Sequence, residues 1–247
     1  ALLAWAIERS RPVVLPEVGS ARLPCVSYAP FRRIGQSPSD PELKVAPAQI
    51  EADLRLLATR TGCVRIYGLD HGLDAVPGIA RRIGLRVVLG AWIWRDPVAN
   101  AAQLERALDL ARTHADVVAL LVIGNEVLLR RELTPEALAA LLAKAKRESE
   151  VPVAYADVWE FWLRHREIYD AVDFVTIHIL PYWEDFPIRA RHAAAHVDSI
   201  RKRMAIAFPN KEILIGETGW PSAGRMREGA LPSRTNQARV VSEVLEL

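Results

Sequence analysis

Seven strand-then-helix units in succession predict an α/β fold, a (β/α)8 TIM barrel whose eighth strand is missing from the 247 residues. Three observations carry this. Short apolar runs alternate with longer segments whose apolar residues recur at helical spacing. No Gly-rich phosphate fingerprint follows the first strand, where an open dinucleotide-binding sheet would carry one. Polar and aromatic residues also stand at or just beyond the strand ends: Tyr28, Tyr67, Trp92, Asn125, Glu126, Asp157, His178, Glu217 and Trp220. A barrel gathers the ends of all its strands at one face, whereas an open sheet would spread several of them apart.

Residues 1–24 read as an extended lead-in, broken by Pro12, Pro16 and Pro24, and 25–247 as the barrel. Cys25–Ala29 is the first strand, followed by a loop from Pro30 to Pro47. Residues 48–60 place Ile50, Leu54, Leu57 and Ala58 on one helical face. Cys63–Tyr67 is the second strand, with a short helix over 73–83 that starts near Pro77. Arg86–Trp92 is the third, followed by a helix over 98–114. Residues 117–123 form the fourth strand and lead to Glu126; Thr134-Pro135-Glu136 then opens a helix with a cap residue and a first-turn proline. Val153–Ala156 precedes a helix near 158–169, and Val172–His178 precedes one over 189–207. Glu212–Ile215 is the seventh strand, before a last helix over 233–247 capped at Ser233 or Thr235. The chain stops inside that helix, so it reads either as a fragment of a larger chain or as a barrel open on one side.

Composition narrows the partners. A hydrophobic content of 51% supports a sizeable core, and a net charge of +2 from scattered Lys and Arg leaves no footprint for nucleic acid. No stretch reaches the ~18 apolar residues of a membrane span. Ala1–Ile7 lacks the basic start and cleavage site of a signal peptide, and a first residue that is not Met reads as the trimmed end of a longer chain. Cys25 and Cys63 each precede an apolar strand and are expected to be free buried thiols. His192 and His196 lie four apart but lack the Glu of a zinc-protease motif, so neither a metal nor a cofactor is expected. The seven Trp suit packing, and also a site that stacks on sugar rings.

The strongest signal is a repetition. Ile213-Leu-Ile-Gly-Glu217 and Val117-Val-Ala-Leu-Leu-Val-Ile-Gly-Asn-Glu126 are two apolar strands, each ending in Gly and then Glu. A carboxylate at the end of a buried strand is costly unless something uses it. Two of them facing each other across a barrel mouth are the equipment for cleaving a glycosidic bond, one as proton donor and one as nucleophile or base.

These residues resemble glycoside hydrolase family 17. The likeness rests on Gly124-Asn-Glu-Val127 and Gly216-Glu-Thr-Gly-Trp-Pro-Ser222, with Val64-Arg-Ile-Tyr67, Leu180-Pro-Tyr-Trp183 and Thr235-Asn-Gln237 in support. It covers about Val26 to the C-terminus. The resemblance implies a retaining enzyme acting on β-1,3-glucan through a covalent glycosyl-enzyme, with Glu126 as acid/base and Glu217 as nucleophile. It further implies Asn125 on the sugar 2-hydroxyl, Tyr182 orienting the nucleophile, and Trp220 and Trp183 as sugar platforms. Arg65 would support the charge of Glu217, and Tyr28, Tyr67, Trp92 and His178 would line the cleft. The Ala- and Arg-rich sequence and compact loops resemble bacterial members that act as glucanosyltransferases more than hydrolases; a non-catalytic glucan-binding domain is the competing class. A monomeric domain is expected in the cell envelope, periplasm or exterior, either free or within a larger membrane-tethered protein. The family's eighth strand carries an aromatic and an acidic residue, and that segment is absent here.

Overall fold

The computed structural model describes Leu15 and residues 22–247, so the expected lead-in over 1–24 lies almost wholly outside the described residues. The described chain divides into two compact units, one of residues 22–178 with Arg203–Glu217, the other of Ile179–Lys202 with Thr218–Leu247.

The first unit holds the whole sheet. Its strands are β1 (Val26–Ser27), β2 (Cys63–Arg65), β3 (Arg86–Ala91), β4 (Val118–Asn125), β5 (Val153–Val158), β6 (Phe174–His178) and β7 (Ile213–Glu217). They lie in sequence order, every neighbour parallel. The connecting helices are α1 (Pro47–Ala58), α2 (Val76–Ile83), α3 (Pro97–Thr113), α4 (Pro135–Glu148) and α5 (Trp159–Arg164). Side-chain caps start two of them: Asp96 accepts from Val98 N and Ala99 N before α3, and Thr134, the cap the sequence marks, from Ala137 N before α4. α5 is shorter than expected, because the chain leaves helical geometry at His165 and continues as a 3-10 turn over Arg166–Ala171. α6 (Ala190–Ala207) leads from the second unit back to the first.

The sheet is strongly curled. Strands spaced at ~4.8 Å would put β2 and β7 about 24 Å apart in a flat sheet. Instead the Arg65 guanidinium on β2 donates to the Gly216 carbonyl on β7 at 2.9 Å. Leu120, Val122, Ala154 and Ala156 fill the concave side, with Val88, Phe174 and Leu214 against them. The alternate residues, Leu121, Ile123, Val153, Tyr155, Val175 and Ile177, are buried on the other face. This is the TIM-barrel arrangement with seven strands; no eighth strand occurs among the described residues.

One expectation is overturned. Cys25 and Cys63 are not free thiols but form a disulfide. The reason is register: β1 and β2 pair Val26 with Val64, so the cysteines one residue earlier lie side by side with Cα atoms 4.4 Å apart.

In the second unit, α7 (Arg234–Leu245) begins at Ser233, whose hydroxyl accepts from Asn236 N at 3.0 Å. Tyr182, Ala190, Ala193, Trp220, Ala230 and Val240 form the core of this unit.

Candidate active site

Both Gly–Glu repeats are β-bulges, for two different reasons. Between β4 and β5 the register runs Val122↔Ala154 and then Asn125↔Ala156, so β4 carries one extra residue, in the stretch that contains Gly124. Gly124 has φ +83, and a Cβ there would lie 2.7 Å from Val127 Cγ2. Between β6 and β7 the register runs Ile177↔Ile215 and then His178↔Glu217, which skips Gly216. Gly216 is required for space: its Cβ would meet Thr176 Cγ2 at 2.6 Å and His178 Cδ2 at 3.1 Å. Each bulge re-aims the carboxylate that follows it. Glu126 itself has φ 53, an uncommon left-handed backbone for a non-glycine residue, and its N–H donates to Ala156 O at 2.8 Å.

The two carboxylates converge. His178, its side chain fully buried, lies between them: Nδ1 is 2.8 Å from Glu126 Oε1 and Nε2 is 3.4 Å from Glu217 Oε1. Glu126 and Glu217 stay 22% and 21% exposed, so both can be reached from solvent. Donor atoms of all three residues lie within 4.8 Å of one another. Such a set could ligate a divalent cation. Positive charge is already supplied there by Arg65, whose Nη1 is 3.4 Å from both Glu217 Oε1 and His178 Nε2.

Arg65, 5% exposed, ties the layer together. Its Nη2 donates to Asn125 Oδ1 at 2.6 Å and its Nη1 to Gly216 O, joining β2, β4 and β7, while the guanidinium lies 4.6 Å over the Tyr67 ring. Burial first, and then the Glu217 charge, push the Tyr67 hydroxyl up to about 12. The His178 hydrogen bond holds the Glu126 carboxyl below the usual carboxylate range, against the opposing effect of burial.

The other expected residues fall into place unevenly. The Tyr182 hydroxyl donates to Arg225 O at 2.7 Å, which commits its one proton, and Tyr67 is the phenol set against Glu217. Trp220 is 3% exposed, its N–H donated to Leu231 O and its ring edge-on to Tyr182, so it has no open face for a sugar. Trp183 is 49% exposed. Tyr28 points its hydroxyl to Asp53 on α1 at 2.9 Å. Trp92 is 37% exposed and carries the Arg130 guanidinium 4.4 Å over its ring. Arg130, which no sequence motif marks, also donates to Asn125 O and pairs with Glu132 at 2.8 Å.

The sequence model of the BtgE/BtgC glycoside hydrolase domain matches residues 25–246. The chain belongs to that family. Among curated proteins it is 28% identical over 190 residues to the probable beta-glucosidase btgE of Aspergillus clavatus, covering 74% of this chain and 33% of that protein. It is 21% identical over 232 residues to the cell surface mannoprotein MP65 of Candida albicans, covering 92% of this chain and 59% of that protein. The chain thus spans about a third of the first relative's length, and these fungal relatives lend no support to a bacterial character. The glycoside hydrolase family 17 beta-1,3-glucanosyltransferase of Rhizomucor miehei has the same fold, with a TM-score of 0.78 at 24% identity over 90% of this chain and 80% of that one.

Proposed function

We propose that the chain is a retaining enzyme acting on β-1,3-glucan, and a glucanosyltransferase more than a hydrolase. The observation that carries this is the pair of partly open carboxylates from β4 and β7, whose oxygens come within 4.8 Å across a shared histidine. A retaining pair stands at roughly 5–5.5 Å and an inverting pair at roughly 6.5–9.5 Å, so this approach favours direct attack. The substrate class follows the likeness of the Asn125-Glu126 and Glu217-Thr-Gly-Trp-Pro segments to family 17 and the named activity of the Rhizomucor protein.

In this reading Glu217 attacks the anomeric carbon while Glu126 protonates the departing oxygen. His178 Nδ1 and Glu126 Oε1 are 2.8 Å apart, a hydrogen bond that favours the ionised form of Glu126. Glu126 then takes a proton from the acceptor, either water or the hydroxyl of another sugar. Asn125, its Oδ1 engaged by Arg65, keeps its NH2 for the 2-hydroxyl. Trp92, Trp94 and Trp183 are exposed indoles, the residue type that suits sugar stacking. A place outside the cell or in its wall accords with the disulfide and with the cell-surface relative. Among the described residues no helix is long and apolar enough to cross a membrane.

The test is a product time course with one β-1,3-linked oligosaccharide, in wild type and in Glu217→Gln. Early products longer than the donor support transfer; only shorter ones would leave hydrolysis. Glu217→Gln should keep oligosaccharide binding and lose turnover. Unchanged turnover in that variant would remove the assignment of the nucleophile.

A further inference from the structure

Behind the acid/base segment lies a second titratable pair, Tyr155 and Asp157 on β5, both fully buried. Their side chains belong to the face of the sheet opposite the concave side, where the Tyr155 ring packs against Trp162 at 5.8 Å. Their polar atoms nevertheless turn to the segment that carries Glu126. Leu128 N donates to the Tyr155 hydroxyl at 3.0 Å, and that hydroxyl donates to Asp157 Oδ2. Leu129 N reaches the same oxygen at 3.4 Å, and Val158 N donates to Oδ1 at 2.8 Å. With the bond from Glu126 N to Ala156 O, three consecutive residues of β5 each hold a backbone amide of residues 126–129.

Every hydrogen-bonding partner of Asp157 is a donor, so the arrangement fits a carboxylate and offers a protonated acid no acceptor. A buried carboxylate is expensive, and neither packing nor the ladder of β5 needs one at this position. What the pair does hold is the chain that leaves Glu126 in its left-handed conformation.

We propose that Tyr155 and Asp157 are positioning residues for the acid step, fixing the 126–129 backbone so that the Glu126 carboxyl meets His178 and the sugar oxygen. This rests on Glu126 being the acid/base. The groups facing the pair are the amides of Leu128, Leu129 and Val158, the Glu126 carboxylate, and the Arg130 guanidinium. Burial is the main cause that pushes the Asp157 carboxyl up to about 6, with the Glu126 charge adding to it.

Tyr155→Phe keeps the ring and removes only the hydroxyl. It should lower kcat on a laminari-oligosaccharide by on the order of 10²-fold, the scale of a misplaced catalytic group, with KM little changed and Tm lowered by roughly 5 °C. The Leu128 amide should exchange its hydrogen faster in that variant than in wild type. Turnover within about threefold of wild type, far short of that scale, with the amide still protected, would overturn the proposal. Asp157→Asn supplies the readout that a purely structural role would not move. Wild-type kcat should fall as pH drops through about 6, and the variant should lack that limb; the same limb in the variant would count against the proposal. If wild type turns over no glucan, the functional reading fails on its own, and the exchange of the Leu128 amide still decides whether the pair holds the segment.

Discussion

Replacing Arg65 is the sharpest test of how the site is assembled, because one side chain serves three strands. Its two terminal nitrogens bond separate buried acceptors, Nη2 to Asn125 Oδ1 at 2.6 Å and Nη1 to Gly216 O at 2.9 Å. A lysine ammonium is a single point of donors and cannot occupy both nitrogen positions. Arg65→Lys therefore leaves one buried acceptor unpaired, which costs about 1–3 kcal/mol. Arg65→Met abandons both acceptors and leaves Glu217 without its 3.4 Å cation, a loss of about 3–5 kcal/mol by the measure of broken buried pairs. For a domain of this size each kcal/mol moves Tm by roughly 2–4 °C, so the Lys variant should melt about 5 °C lower and the Met variant roughly 6–20 °C lower. Activity should fall further than stability alone explains, because Asn125 and Glu217 lose a common anchor. The assay is a thermal melt beside kcat/KM on a laminari-oligosaccharide, with Asn125→Ala alone and combined with Arg65→Met. The double variant should be much less impaired than the sum of the singles, since both remove the same bond. A Met variant within about 1 kcal/mol of wild type, or strictly additive effects, would refute the view that Arg65 joins the strands.

Three further perturbations test other parts of the argument. Replacing Cys25 and Cys63 by Ser opens a loop of 38 residues, and chain entropy sets the expected loss at about 4 kcal/mol, readable as a lower urea midpoint with an altered denatured baseline. Asp157 should tilt the pH dependence of stability. Its folded value of about 6 lies above the ordinary aspartate value of 3.8, so the native state holds the extra proton between them, and its contribution is present at low pH and lost as pH rises through about 6. The span corresponds to roughly 3 kcal/mol, and Asp157→Asn should erase it in urea titrations; an unchanged difference between acid and neutral pH would contradict the assignment. Gly216→Ala puts a methyl 2.6 Å from Thr176 Cγ2 and should cost about 1–3 kcal/mol while displacing His178. A fully active, equally stable Ala variant would show that the bulge tolerates a side chain.

Much of this was legible because apolar strands announce themselves. Val118–Asn125 and Ile213–Glu217 are written as near-continuous hydrophobic runs, the pattern of a sheet buried on both faces, and their Gly–Glu endings mark the carboxylates. What escaped depends on register. Cys25 and Cys63 look like two strand openings until Val26 is paired with Val64. Asp157 reads as one more polar residue at a strand end, because two of its partners are the backbone amides of Leu129 and Val158, which leave no trace in residue type. Trp220 is a related case: an indole after a strand-end carboxylate suits a sugar platform in sequence, while its packing against Tyr182 and its bond to Leu231 O are set by the loop that follows. Periodicity identifies faces of elements and cannot say which backbone group lies opposite.

The character of the converging residues also bears on the competing idea that this domain only binds glucan. A neutral sugar chain is held by hydroxyl-matching amides and open aromatic faces. The upper layer of this sheet is built differently: a buried guanidinium, a buried imidazole between two carboxylates, a glutamate in left-handed backbone, and a buried aspartate behind it. Strained backbone costs of order 1–3 kcal/mol and each buried charge adds to it, while Leu120, Val122, Ala154 and Ala156 beneath show how cheaply the same positions can be filled. Binding gains nothing from paired carboxylates that it could not obtain from their amides. The concentration of these costs at the ends of β2 and β4 to β7, around two converging carboxylates, is the physical reason to read the site as catalytic.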